Sequence, residues 1–147
     1  MKTIFHPEEK EQILLRLEKL SQQSKAQWGK MNVSQMLAHC ATAMRVPLGE
    51  YQPKPEFISI MGRFMKKSIL SEKPFGKNAP TAKAFVIKDE RQFETEKKNF
   101  LDAFRKLTQG ETAVKHDIHP ILVKMLPQEW GRLHYKHIDH HFRQFGA

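Results

Sequence analysis

Cysteine is almost absent from this chain, since its 147 residues include a single one. A disulfide framework and a cysteine-based zinc finger are therefore excluded, and a lone thiol fits a reducing compartment. Long apolar runs are also missing, because no window approaches the roughly 18 apolar residues that a membrane helix needs. The N-terminus, MKTIFHPEEKEQILLRL, carries acidic residues where a signal peptide would have an apolar run. These absences predict a cytoplasmic protein with no membrane partner.

Acidic residues are scarce relative to basic ones: 16 against 25, which gives a net charge of +9 with neutral histidines. The positive charge is spread along the whole chain, without the dense Lys/Arg stripe and interleaved aromatics typical of a nucleic-acid surface. We therefore expect a basic surface that draws in anionic small molecules, and no nucleic-acid partner. A content of 39% hydrophobic and 28% charged residues is typical of a globular domain, which we place at residues 1–147.

Glycine-rich phosphate loops and Ser-His-Asp patterns are absent too, and strand signals are limited to a weak AFVIK run. Helix signals recur instead. Asn32 and Gln35 have the spacing of a capping box, and Asp89 and Gln92 repeat it further on. Long amphipathic helices are predicted to start at Pro7, Asn32, Asp89 and Pro127. Four such helices predict an all-α protein, a helical bundle.

Long crossings separate some of these helices. Residues 47–88 are rich in proline, and only residues 57–70 within them have the pattern of a short amphipathic helix. A stretch of this length between helices favours a lid over a site or an arm between subunits. A homodimer is therefore one of the assemblies that we expect.

The last predicted helix contains LHYKHIDHHFRQFG, with four of the eight histidines of the chain. At 100° per residue, His134 and His141 fall on the apolar face, whereas His140 leans toward the charged face. A buried imidazole is costly unless its ring nitrogens have partners, and a metal ion is one such partner. The spacing therefore predicts either a metal site or a set of hydrogen-bonded core histidines.

Residues four apart on a helix lie on one face, so His137 and His141 can converge on one cation. The pairs His134/His137 and His137/His140, three residues apart, are alternatives. Position on the apolar face of the helix favours His141 over His140 as a ligand, and it does not exclude His134. Every alternative includes His137.

A further ligand has to come from another helix, and His39 is the only histidine within the other three long helices. A three-histidine set with open coordination positions is typical of a catalytic metal, because structural sites are normally closed by a fourth protein ligand. Cys40 points about 100° away from His39 and is interpreted as a small core residue. Trp28 and Trp130 are interpreted as packing anchors.

Three stretches, WGKMNVSQMLAHC (28–40), NAPTAKAFVIKDERQFETEK (78–97) and EWGRLHYKHIDHHFRQFG (129–146), resemble the DinB/YfiT-like metalloenzyme superfamily, and more closely a branch of unassigned function. The resemblance implies a four-helix bundle of DinB/YfiT type with long crossover connections. It also implies a metal held by one histidine of the second helix and an HxxxH pair of the last. In this sequence these are His39, His137 and His141.

The resemblance further implies a divalent-metal-dependent enzyme with zinc or nickel as the cofactor. Activities known in the superfamily are thiol-cofactor S-transfer and isomerisation. A low-molecular-weight thiol S-transferase is therefore the first expectation, and a metal-dependent hydrolase of a small molecule the second. Gln144, near His141, is the candidate cofactor-binding residue. The alternative is a non-catalytic metal-binding or stress-response bundle protein.

Overall fold

The computed structural model describes residues 1–54, 59–77, 79 and 81–147, and this part of the chain is mostly helical. Its α-helices are α1 (Pro7–Glu18), α2 (Val33–Arg45), α3 (Ser59–Ile69), α4 (Phe93–Leu107) and α5 (Pro127–Gln144). Single 3-10 turns lie at Lys83–Phe85 and Glu111–Ala113, and β1 (Ile118–His119) pairs antiparallel with β2 (Val123–Lys124). The all-α prediction is confirmed. None of the described helices combines the length and the apolar character that crossing a membrane requires.

Local capping chemistry sets the start of the two helices that carry the candidate site. At α2, the Asn32 side chain accepts the Gln35 N–H at 2.9 Å, and the Gln35 side chain accepts the Asn32 N–H at 3.0 Å. At α5, Leu126 has no side chain that could cap the helix. The Glu129 carboxylate instead accepts the Leu126 N–H at 2.7 Å, which suits an acidic group in a first turn.

Three predictions of local structure are wrong or incomplete. Asp89 does not cap α4: the helix begins at Phe93 and its N-cap is Gln92, while the Asp89 carboxylate pairs with Arg91 at 2.9 Å. The AFVIK run (84–88) is not a strand: its first two residues end the 3-10 turn Lys83–Phe85, and Phe85 is buried whereas Val86 is exposed. The crossing before α5 contains the short β1–β2 pair. The predicted helix at 57–70 is found at Ser59–Ile69, and its expected start lies outside the described residues.

A phenylalanine cluster packs α4 against α5. The rings of Phe100 and Phe104 stack with centroids 5.8 Å apart, and Phe100 lies 5.6 Å from Phe142. Full burial of each such ring contributes about 1.5–3 kcal/mol. Met36, Leu37 and Ile138 belong to the same cluster, which places α2 beside α5.

A second apolar cluster packs the long crossings onto the helices. Trp130, only 1% exposed, is at its centre as the predicted packing anchor, together with Phe85 and Met125. Cys40 is fully buried in the first cluster, which confirms its interpretation as a core residue. The 81–87 segment is thereby held close to α2, and it supplies a contact to the candidate site.

Candidate metal centre

Three histidines from two helices meet at one point. His39 of α2 and the α5 residues His137 and His141 have ring centroids 4.8 Å apart in all three pairs. One ligand atom from each lies within 4.8 Å of the others. The shortest approach is between the Nε2 atoms of His39 and His137, at 2.8 Å. Two nitrogens on a tetrahedral ion are about 3.3–3.4 Å apart at zinc–nitrogen distances of about 2.0–2.1 Å, so a small outward shift lets the group hold a metal ion.

The orientation of His39 is fixed by the chain segment that follows α3. Its Nδ1–H donates to the Phe85 carbonyl at 2.8 Å. A carbonyl can only accept, so the proton has to be on Nδ1, and Nε2 carries the lone pair. The buried His39 ring therefore directs a metal-binding nitrogen at His137.

His141 is oriented in the same way by a side chain of its own helix. Its Nδ1 lies 2.8 Å from Oε1 of Gln144, whose Nε2 donates to the Trp28 carbonyl at 2.6 Å. The contact with Trp28 fixes which end of the amide is the oxygen, so the His141 Nδ1–H is the donor. Nε2 of His141 is left with a free lone pair. Partners of this kind fix the tautomer of histidine ligands in metalloproteins.

Gly29 makes this contact possible. Its φ of +82° is one that L side chains rarely adopt, and a Cβ at this position would collide with Nε2 of Gln144. A glycine therefore allows the Trp28 carbonyl to approach α5. Sequence reasoning selected Gln144 by its distance from His141 but missed Phe85, Trp28 and Gly29, which lie far away in the chain. The role of Gln144 in contacting a cofactor stays a prediction.

The three histidines are neutral at neutral pH, the state that binds a metal. Burial lowers the pKa of His39 and lowers the pKa of His141 to about 3. The pKa of His137 lies well below its ordinary value because of burial and then because of repulsion from the neighbouring histidines.

Two other candidate histidines, His134 and His140, lie outside this group, and so does His119 of β1. His134 is 2% exposed and stacks on Trp130 with centroids 5.6 Å apart, and neither of its ring nitrogens has a hydrogen-bond partner in the described part of the chain. His140 is half-buried beside His141. Nδ1 of His119 accepts the backbone N–H groups of Ile121 and Leu122, so this ring stabilises the β1–β2 turn.

A cleft of about 280 Å³ leads from the surface to His141. We call it the histidine cleft; its wall includes His140, Gln144, Trp28 and residues 85–87. Trp28 thus lies in a loop on the cleft, not between helices as a packing anchor. A larger groove of about 480 Å³ borders the charged face of α5 but reaches none of the three histidines.

These features define the class of the protein as mostly helical, with three clustered histidines that could hold a metal ion. The chain belongs to the family described as a protein of unknown function (DUF1569), whose sequence model matches residues 4–147. No curated protein and no solved structure matches the chain.

Proposed function

We propose that this protein is a divalent-metal-dependent enzyme whose ion, zinc or nickel, is bound by His39, His137 and His141. The observation that supports this proposal most directly is the 2.8 Å distance between Nε2 of His39 on α2 and Nε2 of His137 on α5. Acceptor oxygens of Phe85 and Gln144 fix the tautomers of His39 and His141. Three imidazole donors suit zinc or nickel better than calcium or magnesium, which prefer oxygen ligands.

A catalytic role is supported by the number of ligands and by access. Three protein ligands leave coordination positions for water or substrate, and the histidine cleft connects His141 with the surface. The bound ion would lower the pKa of a coordinated water or thiol. The chain itself would fix the ligand rings and bind the substrate in a cleft with a mainly apolar wall.

Membership of the DinB/YfiT-like superfamily is part of the proposal. Its support is the pattern of one histidine on the second helix and a pair four residues apart on the last. Within that superfamily we favour low-molecular-weight thiol S-transfer, because a thiolate is a good ligand for an ion held by imidazoles. Metal-dependent hydrolysis of a small molecule is the second activity.

The first test is elemental analysis of untagged protein beside three histidine variants. We expect about one ion per chain in the parent and none in His137→Ala or His141→Ala, since two imidazoles hold a divalent ion far more weakly than three. His6→Ala, an exposed histidine at the start of α1, is the matched control and should keep the metal. Equal, substoichiometric metal in all four proteins would refute the site.

The second test separates an enzyme from a non-catalytic metal-binding protein. The metal-loaded protein is assayed for transfer of cysteine to 1-chloro-2,4-dinitrobenzene and for hydrolysis of 4-nitrophenyl acetate. We expect turnover in one assay that disappears in His137→Ala and after chelation. Stoichiometric metal without turnover in either assay would contradict both proposed activities and favour the non-catalytic alternative.

A further inference from the structure

The wall of the histidine cleft is mainly apolar. Trp28 and Met31 from the loop before α2 and Val86 and Ile87 from the crossing line it. Val86 is 44% exposed, so its apolar side chain is accessible at the cleft. At about 280 Å³, the cleft is close to the lower end of the volumes of small-molecule sites, about 300–1,000 Å³. These properties fit a small ligand with an apolar or aromatic body.

The charge of the cleft has one sign. Lys30 lines it, and Nζ of Lys77 lies 4.8 Å from the centre of the Trp28 ring at the same wall. Neither lysine makes an ion pair within the described residues, and no carboxylate is among the described residues of the wall. In the field of a chain with a net charge of +9, these ammonium groups favour an anionic ligand.

His140 adds a hydrogen-bonding group to the same wall. Its half-buried ring lies edge-on to Trp28 and to Phe75, with centroids 5.8 Å away in both cases. Within the described part of the chain the His140 ring makes no hydrogen bond, so its N–H is available to a ligand. A polar ring held between aromatic side chains at a cleft is well placed to orient a ligand.

We propose that the histidine cleft binds a small organic anion with an aromatic or apolar body. The body packs between Trp28 and Val86, the anionic group pairs with Lys30, and His140 donates a hydrogen bond. The reactive group then lies on the side of His141. This inference rests on the proposed function, because it names the substrate class of the same centre.

The test uses the indole N–H signals of the zinc-loaded protein in an ¹⁵N–¹H correlation spectrum. The chain has two tryptophans, and Trp28→Phe assigns the two signals. On titration with 3-phenylpropionate we expect a saturable shift of the Trp28 signal and none of the Trp130 signal, since Trp130 is buried in the second cluster. The neutral analogue 3-phenylpropionamide should bind about fivefold or more weakly, because it cannot pair with Lys30.

Matched charge reversals test the lysine. Lys30→Glu should remove the preference for the carboxylate over the amide. Lys98→Glu changes the net charge equally at an exposed position of α4 and should keep the preference. A preference that persists in Lys30→Glu but disappears after zinc is chelated would place the carboxylate on the ion, and would overturn the assignment to Lys30.

Two further outcomes separate this inference from the metal centre. Equal binding of the carboxylate and the amide would overturn anion recognition. A Trp28 signal that does not respond, in a protein that holds zinc stoichiometrically, would overturn the ligand assignment and leave the metal centre standing. If the parent holds no metal, the proposed function fails, and the same titration of the metal-free protein still decides whether Lys30 and Trp28 bind the anion.

Discussion

At the scale of the residue, the site depends on the partner of each ring nitrogen that does not face the centre. Phe85 accepts from His39, and Gln144 accepts from His141 and donates to Trp28. Each of these contacts removes rotational freedom from a histidine of the group, whether or not a metal ion is bound. The entropy lost in orienting these rings is therefore lost during folding and not on metal binding. Substitutions that remove these hydrogen bonds should accordingly weaken metal binding.

Gln144→Ala tests this at a residue that does not belong to the histidine group. Loss of the Oε1 acceptor frees the His141 ring and its tautomer, and we expect the zinc affinity to fall about 10–100-fold. A competition titration with a chromophoric chelator measures the change. Gln109→Ala, an exposed glutamine after α4, is the control. Unchanged affinity in Gln144→Ala would show that the hydrogen bond does not hold the ring.

Gly29→Ala reaches the same hydrogen bond from the other side. The φ of +82° costs an L residue about 1–2 kcal/mol, and the new Cβ displaces the Gln144 amide. We therefore expect both a lower free energy of unfolding and weaker zinc binding. Urea titration and the chelator assay measure the two effects. In Gly76→Ala, where a Cβ meets nothing within 4 Å, both quantities should stay close to those of the parent.

Helical periodicity predicted the candidate histidines because it reports the direction of a side chain on its own helix. It placed His134 and His141 on the apolar face, and both are buried, at 2% and 8% exposure. Periodicity could not decide which of the two belongs to the metal site, since that depends on the groups that the facing segments place against each ring. His141 meets an amide and a second helix, whereas His134 meets the Trp130 ring. Those contacts are made by residues distant in sequence, and only the resemblance singled out His141.

At the scale of the element, helix starts were predictable where the capping groups lie within four residues. Asn32 and Gln35 cap α2 as their spacing predicts. The same spacing failed at Asp89: α4 begins at Phe93 with Gln92 as its N-cap, and the Asp89 carboxylate pairs with Arg91, which lies between the two motif positions. The β1–β2 pair was missed because two-residue strands have no periodicity to detect.

Gly131 in α5 is an element-scale case in which packing outweighs helix propensity. Alanine is favoured over glycine in a helix by about 1 kcal/mol. Here, however, the N-terminal segment crosses α5 so closely that a Cβ would collide with Thr3 and Phe5, and the Ile4 N–H donates to the Gly131 carbonyl at 3.2 Å. We expect Gly131→Ala to destabilise the protein by about 1–3 kcal/mol in urea unfolding.

A double-mutant cycle checks the cause of that effect. In a Phe5→Ala background the ring is removed and only the collision with the Thr3 hydroxyl remains, so the same change at Gly131 should cost less. An equal cost in both backgrounds would mean that the close approach of the N-terminal segment is not responsible.

At the scale of the whole molecule, buried neutral histidines connect stability with pH. Burial lowers the pKa of His119 to about 4 and the pKa of His134 to about 3, against 6.5 for a free side chain. Between these values the unfolded chain binds protons that the folded chain does not. The free energy of unfolding therefore falls as the pH is lowered from about 6.5 toward 4, with a limiting slope of about 1.4 kcal/mol per pH unit for each such histidine.

His134→Phe isolates one of these contributions. A phenyl ring can keep the stacking on Trp130 and removes two ring nitrogens that lack partners in the described structure. In metal-free protein we expect higher stability at pH 5 and a smaller pH slope, by about one proton, in urea titrations. Gln109→Ala, which removes an exposed side chain without a titratable group, should leave the slope unchanged. An identical slope in His134→Phe would contradict burial of the neutral ring.

The contact between His39 and His137 has a consequence for how the centre changes when it is filled. Since the proton of His39 is committed to Phe85, the 2.8 Å contact requires His137 to point an N–H at its neighbour whenever the two rings touch directly. Ligation by the same nitrogen requires that position to be bare. Binding of an ion by this nitrogen would therefore require the hydrogen of His137 to be on Nδ1 instead of Nε2, with the ring neutral in both cases. The tautomer of His137 would then report whether the centre is filled.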